Sequence, residues 1–465
     1  MFTSIAARNF KGWRELERMQ LGPVTGFFGT NSSGKTSLLQ LLLLLKQTAT
    51  STDRAQALAL GDERTLVELG SFRDLVFGHD LKESVEIDAA WSYSEPLEFI
   101  DPESIDTILF STSEIRFSTS VSAEKSGRME VDGFSYEMDD AEVSLSRATE
   151  KHGRKDPEYN LKAKFGGRSD YLKRVQGRAW PLPSPIKCYG FPDEAVAYYQ
   201  NSGFVGDLEL ELERQFTNRT FYLGPLRETP LRQYRWKGTQ PQDVGPAGDR
   251  AVEALLASRD RGRVNARAFD ARGRAKRRIT VEQHVAEWLQ ELGLVSSFEV
   301  ERLSDDADIY RVRVKRTEQS TPVYLTDVGF GVSQILPVLV LLAYAPPGST
   351  VMLEQPEIHL HPSVQSGLAD VILEAATVRG VQVLVESHSE HLLRRLQRRV
   401  AEETATPSDV RLYFCDVGHH GSTASPLVLN VLGEIENWPS DFFGDPLSET
   451  AAITRAALIR RMAQG

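Results

Sequence analysis

The run Gly29-Thr30-Asn31-Ser32-Ser33-Gly34-Lys35-Thr36 limits what this chain can fold into more than any other feature. It spells G-x-x-x-x-G-K-T and stands between an apolar stretch, Val24 to Phe28, and a leucine-rich one, Ser37 to Leu45. A strand, loop and helix of this kind form a phosphate cradle. Glycines let backbone N–H groups curl round phosphate oxygens, and the helix adds its positive N-terminal end. In that chemistry Lys35 reaches the terminal phosphates and the Thr36 hydroxyl coordinates magnesium. The segment predicts binding of ATP or GTP through Gly29 to Thr36, with Ser37 following in the first helical turn. A chance match in a glycine-rich turn is the competing reading, and the flanking strand and helix patterns argue against it.

With 465 residues, 41% of them hydrophobic, the chain can bury a large core, enough for roughly two to four lobes. The net charge of -11 argues against nucleic-acid binding by the whole surface and leaves room for a focal basic face. Cys188 and Cys415 have neither zinc spacing nor the density of a disulfide scaffold, which fits buried thiols in a reducing cytosol. No apolar run reaches the roughly 18 residues of a membrane helix, and charges in Met1 to Gln20 argue against a signal peptide. A cytoplasmic protein with no membrane partner is expected.

Patterning divides the chain. Residues 1–80 read as an N-terminal ATPase lobe: two strands around a charged turn, then the phosphate loop. Short alternating segments such as Val85 to Ile87, Glu114 to Ser118 and Glu142 to Leu145 make 81–220 a β-rich insertion, with a helical stretch at Asp193 to Phe216. Residues 221–297 read as a helical, basic insertion, since Arg259 to Arg278 holds eight arginines and one lysine against two aspartates. That run suits a phosphate backbone or an acidic partner as well as it suits a solvated loop. Residues 298–440 form a C-terminal lobe and 441–465 a tail. The overall class is α/β.

The C-terminal lobe carries a second set of motifs. Val351-Met352-Leu353 runs into Glu354-Gln355-Pro356-Glu357, where Glu354 is the candidate magnesium-organising carboxylate. Upstream, Gly329-Phe330-Gly331-Val332-Ser333-Gln334 opens an apolar helix, a second anion-binding N-terminus offering Gly331, Ser333 and Gln334. Downstream, Val381 to Val385 leads to Glu386-Ser387-His388, which puts a histidine at the C-terminal end of a strand.

In this order the motifs resemble the ABC-type ATPases, and within them the SMC, RecF and overcoming-lysogenisation-defect group. The resemblance rests on Asn9-Phe10-Lys11, the loop at 29–36, the run from Glu354 to Pro362, Glu386 to His391, and Asn437 to Gly444. It covers both ends of the chain and not the middle. It is closest to stand-alone bacterial ATPases, many of them suspected parts of anti-phage systems, and implies an ABC-type head with ATP and Mg2+ as cofactors. It also implies a homodimer or higher homo-oligomer, in which ATP lies between one subunit's phosphate loop and the other's signature helix at Ser333. His388 becomes a contact to the γ-phosphate, and His359 and His361 fall in an interface loop; a metal site of both with Glu357 is the less favoured reading.

One departure stands out. The family pattern has a general-base glutamate after the magnesium carboxylate, and here Gln355 occupies that place. Glutamine cannot accept a proton from water, so slow hydrolysis is expected, with Gln355 orienting water and Glu357 or His388 partly substituting. Gln355 is either this subfamily's usual residue or an introduced change. Nuclease-bearing relatives carry a C-terminal toprim segment, for which Asp416, Glu434, Glu436, Asp441 and Asp445 leave no room, so any effector is expected to be a separate protein. A DNA-repair or chromosome-maintenance ATPase and a nucleotide-locked scaffold are the alternatives.

Overall fold

The structure is a computed structural model that describes residues 1–124, 127–148, 157–167, 171–177, 180–267, 276–304, 307–439, 455, 456 and 460. The centre of the arginine-rich run, residues 268–275, and Asp441, Phe442 to Gly444 and Asp445 lie outside the described residues.

The chain opens with β1 (Phe2–Phe10), β2 (Trp13–Gln20) and β3 (Val24–Gly29), then α1 (Lys35–Thr50) and α2 (Phe72–Leu75). Five long strands follow: β4 (Val85–Asp101), β5 (Ser104–Ala123), β6 (Met129–Met138), β7 (Ala141–Arg147) and β8 (Tyr159–Phe165). Next come α3 (Glu194–Tyr198), α4 (Phe204–Asn218), β9 (Thr220–Leu223), β10 (Tyr234–Arg235), α5 (Ala251–Ala257), β11 (Val264–Arg267), β12 (Lys276–Ile279) and α6 (Val281–Glu291). The C-terminal part runs β13 (Ser297–Ser304), β14 (Ala307–Lys315), β15 (Val323–Tyr324), α7 (Phe330–Tyr344), β16 (Thr350–Glu354), α8 (Pro362–Thr377), β17 (Gln382–Glu386), α9 (Glu390–Ala401), β18 (Val410–Gly418) and β19 (Gly421–Leu427).

The sheet that matters for function has the order β19-β18-β3-β17-β16-β9. Its five strands from β18 to β9 are parallel, so the phosphate loop after β3 and the acidic ends of β16 and β17 emerge at one edge. Side-chain alternation gives the sheet two faces. Phe27, Met352, Leu384 and Tyr413 pack into one core with the leucines of α1, whereas Val24, Phe28, Val351, Leu353, Val383 and Val385 pack into another with α7, α8 and α9. The helix that begins in the phosphate loop and the helix that bears Ser333 therefore lie on opposite faces of one sheet.

The first core also takes in the inner face of a seven-stranded antiparallel sheet, β2-β1-β4-β5-β6-β7-β8. Held between two sheets, α1 is buried on nearly all sides, which explains its all-round leucines. Lys46 of α1 is buried too; its Nζ donates to the carbonyls of Phe216, Thr217 and Thr220 at 3.0, 3.3 and 2.7 Å, and burial lowers its pKa to about 8. Gln382 joins the two sheets: its Oε1 accepts from Phe2 N (2.9 Å) and Thr350 Oγ1 (2.7 Å), and its Nε2 donates to Phe2 O (2.7 Å) and Gly22 O (3.0 Å).

Three boundaries read from patterning change. The strands of 81–220 extend the sheet begun by β1 and β2, because β4 pairs with β1 along its first half, so they form no separate insertion. β9, assigned to the basic insertion of 221–297, is an edge strand of the nucleotide sheet, paired with β16 from Thr220 to Leu223. The hairpin β13–β14, assigned to the C-terminal lobe, joins β10 and β15 in a small sheet of its own. Short apolar strands do not reveal their partners, since pairing is decided by distant segments. α6 is started by a capping box in which Thr280 Oγ1 accepts from Gln283 N and Gln283 Oε1 from Thr280 N. Both cysteines are buried and free.

Candidate nucleotide site

The phosphate loop owes its shape to two glycines and a serine. Gly29 has φ 138°, and a Cβ there would lie 1.9 Å from the Cys415 carbonyl oxygen. Gly34 has φ 89°, and a Cβ there would lie 2.6 Å from Ser422 Oγ; Ser32 also sits in the left-handed region, at 61°. Lys35 Nζ donates to the carbonyls of Thr30 at 2.6 Å and Gly29 at 3.2 Å, and lies 3.4 Å from Ser33 Oγ. Burial pulls its pKa down, against the pull of Glu386. Ser37 Oγ donates to Gly34 O at 2.6 Å and accepts from the buried Trp13 indole at 3.0 Å, which locks the first helical turn to the N-terminal hairpin. Thr30 Oγ1 donates to Asp416 Oδ1 at 3.2 Å, and the exposed Asn31 follows it. Lys11 reaches Gln40 of α1 at 2.7 Å, and Asn9 lines an open cavity of about 670 Å³ with Arg8, Phe77 and Ser422, the residue that abuts Gly34.

Thr36 Oγ1 donates to Glu386 Oε1 at 3.0 Å. Glu386 ends β17 directly beside Glu354 at the end of β16, the two being register partners on the face that carries α1. Glu354 is held by the Tyr222 hydroxyl at 2.6 Å, reaching in from β9. Burial raises the pKa of both carboxyls, Glu386 to about 7 with Glu354 as the next cause. Glu386 is the residue that sequence reasoning missed. Its signal was present, an acid ending an apolar strand two residues before His388, but only the register shows it beside Glu354.

The donors present suit magnesium. A hydroxyl and two carboxylates are hard oxygen ligands, and Glu386 Oε2 is buried without a hydrogen-bond partner. Among the described residues no group of three or more His, Cys, Asp or Glu could hold a metal by itself. That disfavours a metal site of His359, His361 and Glu357. His361 caps α8, with Nδ1 accepting from Ser363 N at 3.3 Å and bonded to Ser363 Oγ at 2.8 Å, and His359 packs edge-on against Phe330 at 5.3 Å between ring centres.

Gln355 follows Glu354 in a left-handed conformation, φ 43°, fixed by a bond from its N–H to Glu386 O at 2.9 Å. Glu357 is buried and its Oε1 accepts from the His388 backbone N–H at 2.7 Å, so it shapes the loop that presents His388. The His388 ring is exposed, and its pKa is lowered by partial burial and then by Lys35. Arg227, in the loop after β9, has Nε and Nη1 buried without partners; burial lowers its pKa to about 10 against Tyr222, Glu354 and Glu357. The structure thus brings Lys35, Thr36, Glu354, Glu386 and His388 to one sheet edge. It places Ser333 elsewhere: Ser333 Oγ donates to Phe330 O at 2.9 Å in the first turn of α7, between Gly331 and the buried Gln334, beside Leu231 and Tyr234. Within the arginine-rich run, Arg259 pairs with Glu282 at 2.9 Å, Arg277 pairs with Glu287, and Arg261 stacks on Tyr344 at 3.9 Å, so these three serve the fold.

A parallel sheet with a phosphate loop, a carboxylate one strand beyond its neighbour and a histidine between them is the arrangement of a P-loop nucleotide-binding fold. Comparison agrees in class: residues 244–394 match the family described as "AAA domain, putative AbiEii toxin, Type IV TA system", and residues 406–453 match a family described as a protein of unknown function, DUF3696. No curated protein matches the chain at a significant level. Similar solved structures include an SMC head bound to the C-terminal winged-helix domain of ScpA (11% identity, 92% of this chain and 98% of that one, TM-score 0.45). An SMC head domain from Thermotoga maritima gives 10%, 91%, 98% and 0.39. An SMC head with an extended coiled coil bound to a ScpA domain, derived from Pyrococcus furiosus, gives 10%, 92%, 96% and 0.43. Among the described residues no helix is long and apolar enough to cross a membrane.

Proposed function

We propose that this chain is a slow ATPase whose ATP-dependent self-association controls a separate effector protein in anti-phage defence. One observation carries the reading: Lys35 and Ser333 stand on helices packed on opposite faces of the same sheet. The α7 N-terminus of the same chain then stands on the face opposite the helix that begins at Lys35, and a second copy brings its own α7 to the phosphate. Nucleotide becomes the joint between two chains.

Within one half of the joint, the phosphate loop would bind the nucleotide, Lys35 would exchange its carbonyl partners for phosphate oxygens, and Thr36 and Glu354 would hold magnesium, which would supply charge neutralisation. Glu386 keeps the Thr36 hydroxyl in place. Gln355 orients the attacking water and His388 faces the terminal phosphate. Glutamine at 355 cannot take a proton from water, so turnover is slow and the assembled state is long-lived. The toxin family named in the match to residues 244–394 supports a defensive role.

The test is the mass of the protein in solution by light scattering, with and without ATP-Mg2+, beside Lys35→Ala. We expect the mass to rise with ATP in the wild type only. A wild-type mass indifferent to ATP would overturn the reading.

A further inference from the structure

The reading above gives no role to Arg227, a half-buried cation near the acids of the site. Arg227 lies four residues past the end of β9, the strand on the far side of β16 from the phosphate loop. Its loop is fixed at both ends: Gly224 N donates to Pro246 O at 2.8 Å and Glu228 N to Ala247 O at 2.9 Å. Gly248, next in line, packs on Pro337 of α7, where a Cβ would come within 2.6 Å. The guanidinium is thus carried on an anchored segment.

Two of its three nitrogens, Nε and Nη1, are buried without hydrogen-bond partners. A buried donor left unmade is costly, and more so when it is charged. The neighbouring acids do not hydrogen-bond to Nε or Nη1, and Glu357 Oε2 is itself buried without a partner. Glu354 Oε2 is engaged by Tyr222 and Glu357 Oε1 by the His388 N–H. Nε with one Nη is the edge of the fork that binds two oxygens of a phosphate side by side.

Position says which phosphate. The phosphate loop encloses the first two phosphates of a nucleotide, and the metal carboxylate stands near the second and third. A group beyond Glu354, on the side away from the loop, can meet only the end of the triphosphate. We propose that Arg227 is a ligand of the terminal phosphate and makes the site distinguish ATP from ADP. The proposal rests on the nucleotide-site reading above.

The experiment is titration calorimetry of the full chain with AMP-PNP and with ADP, both with Mg2+, for the wild type, Arg227→Lys, Arg227→Ala and Lys35→Ala. Arg227→Ala should lose about tenfold or more in AMP-PNP affinity, and ADP affinity should change less than about twofold. Arg227→Lys keeps the charge without the fork and should fall between wild type and Ala; it serves alone if Ala does not fold. An equal loss for both nucleotides, or no loss for either, overturns the proposal while the site stands, provided Lys35→Ala abolishes both. A wild type that binds neither nucleotide overturns the site reading itself.

Discussion

The Thr36 hydroxyl donates to Glu386 Oε1 at 3.0 Å, joining the first turn of α1 to the end of β17 across a sequence separation of 350 residues. Glu386 also stands beside Glu354, and this pair of buried acids has a pH signature. Its carboxyl pKa is raised from 4.5 to about 7, so the native state binds the proton more tightly than the unfolded chain does. Stability from this group is complete below pH 4.5 and is lost as pH rises to about 7, a difference on the order of 3 kcal/mol.

Glu386→Gln should therefore melt higher than the wild type at pH 8 without magnesium, and close to it at pH 5. Thermal melting across this range measures the difference. A constant offset at both pH values would show that the carboxyl's charge is not the cause.

Tyr222→Phe removes the 2.6 Å bond to Glu354 Oε2 and leaves the ring in place. A hydrogen bond to a charged acceptor contributes about 1.5–3 kcal/mol, and urea denaturation should show a loss of that order at neutral pH. An unchanged midpoint would mean that Glu354 finds another donor.

Gly29→Ala and Gly331→Ala should behave oppositely. At Gly29 the methyl would meet the Cys415 carbonyl at 1.9 Å in a left-handed backbone, and a loss of about 3 kcal/mol or more is expected. At Gly331, inside α7, the nearest atom is 3.9 Å away, and alanine's helix preference should give a gain of up to about 1 kcal/mol. Chemical denaturation of both variants checks the contrast.

Gln355→Glu should raise steady-state ATP turnover by about an order of magnitude or more, since a base then stands beside the metal carboxylate. A phosphate-release assay reads this directly. An unchanged rate would place the base elsewhere.

Much of this site was legible before any coordinates. The phosphate loop, the apolar strand before Glu354 and the strand before His388 are local patterns, α1 and α7 are continuous apolar runs after glycine-rich turns, and α6 opens on a capping box. What local pattern cannot hold is register. Glu386 meets Thr36 only because β17 lies between β3 and β16, and Tyr222 meets Glu354 only because β9 closes the sheet. The same blindness made the strands of 81–220 read as an insertion, although β4 continues the sheet of β1. Arg227 was invisible for another reason: an arginine after a Gly-Pro turn looks like a surface residue until its nitrogens are found buried.

Gln382 completes the picture from beneath. Both ends of its amide are fully engaged, joining β17 to β1 and, through Thr350, to β16. The strand that carries Glu386 and His388 at one end is thus rooted at the other in the antiparallel sheet. The nucleotide sheet and the antiparallel sheet therefore cannot slide past each other at this point without breaking both bonds between Gln382 and Phe2.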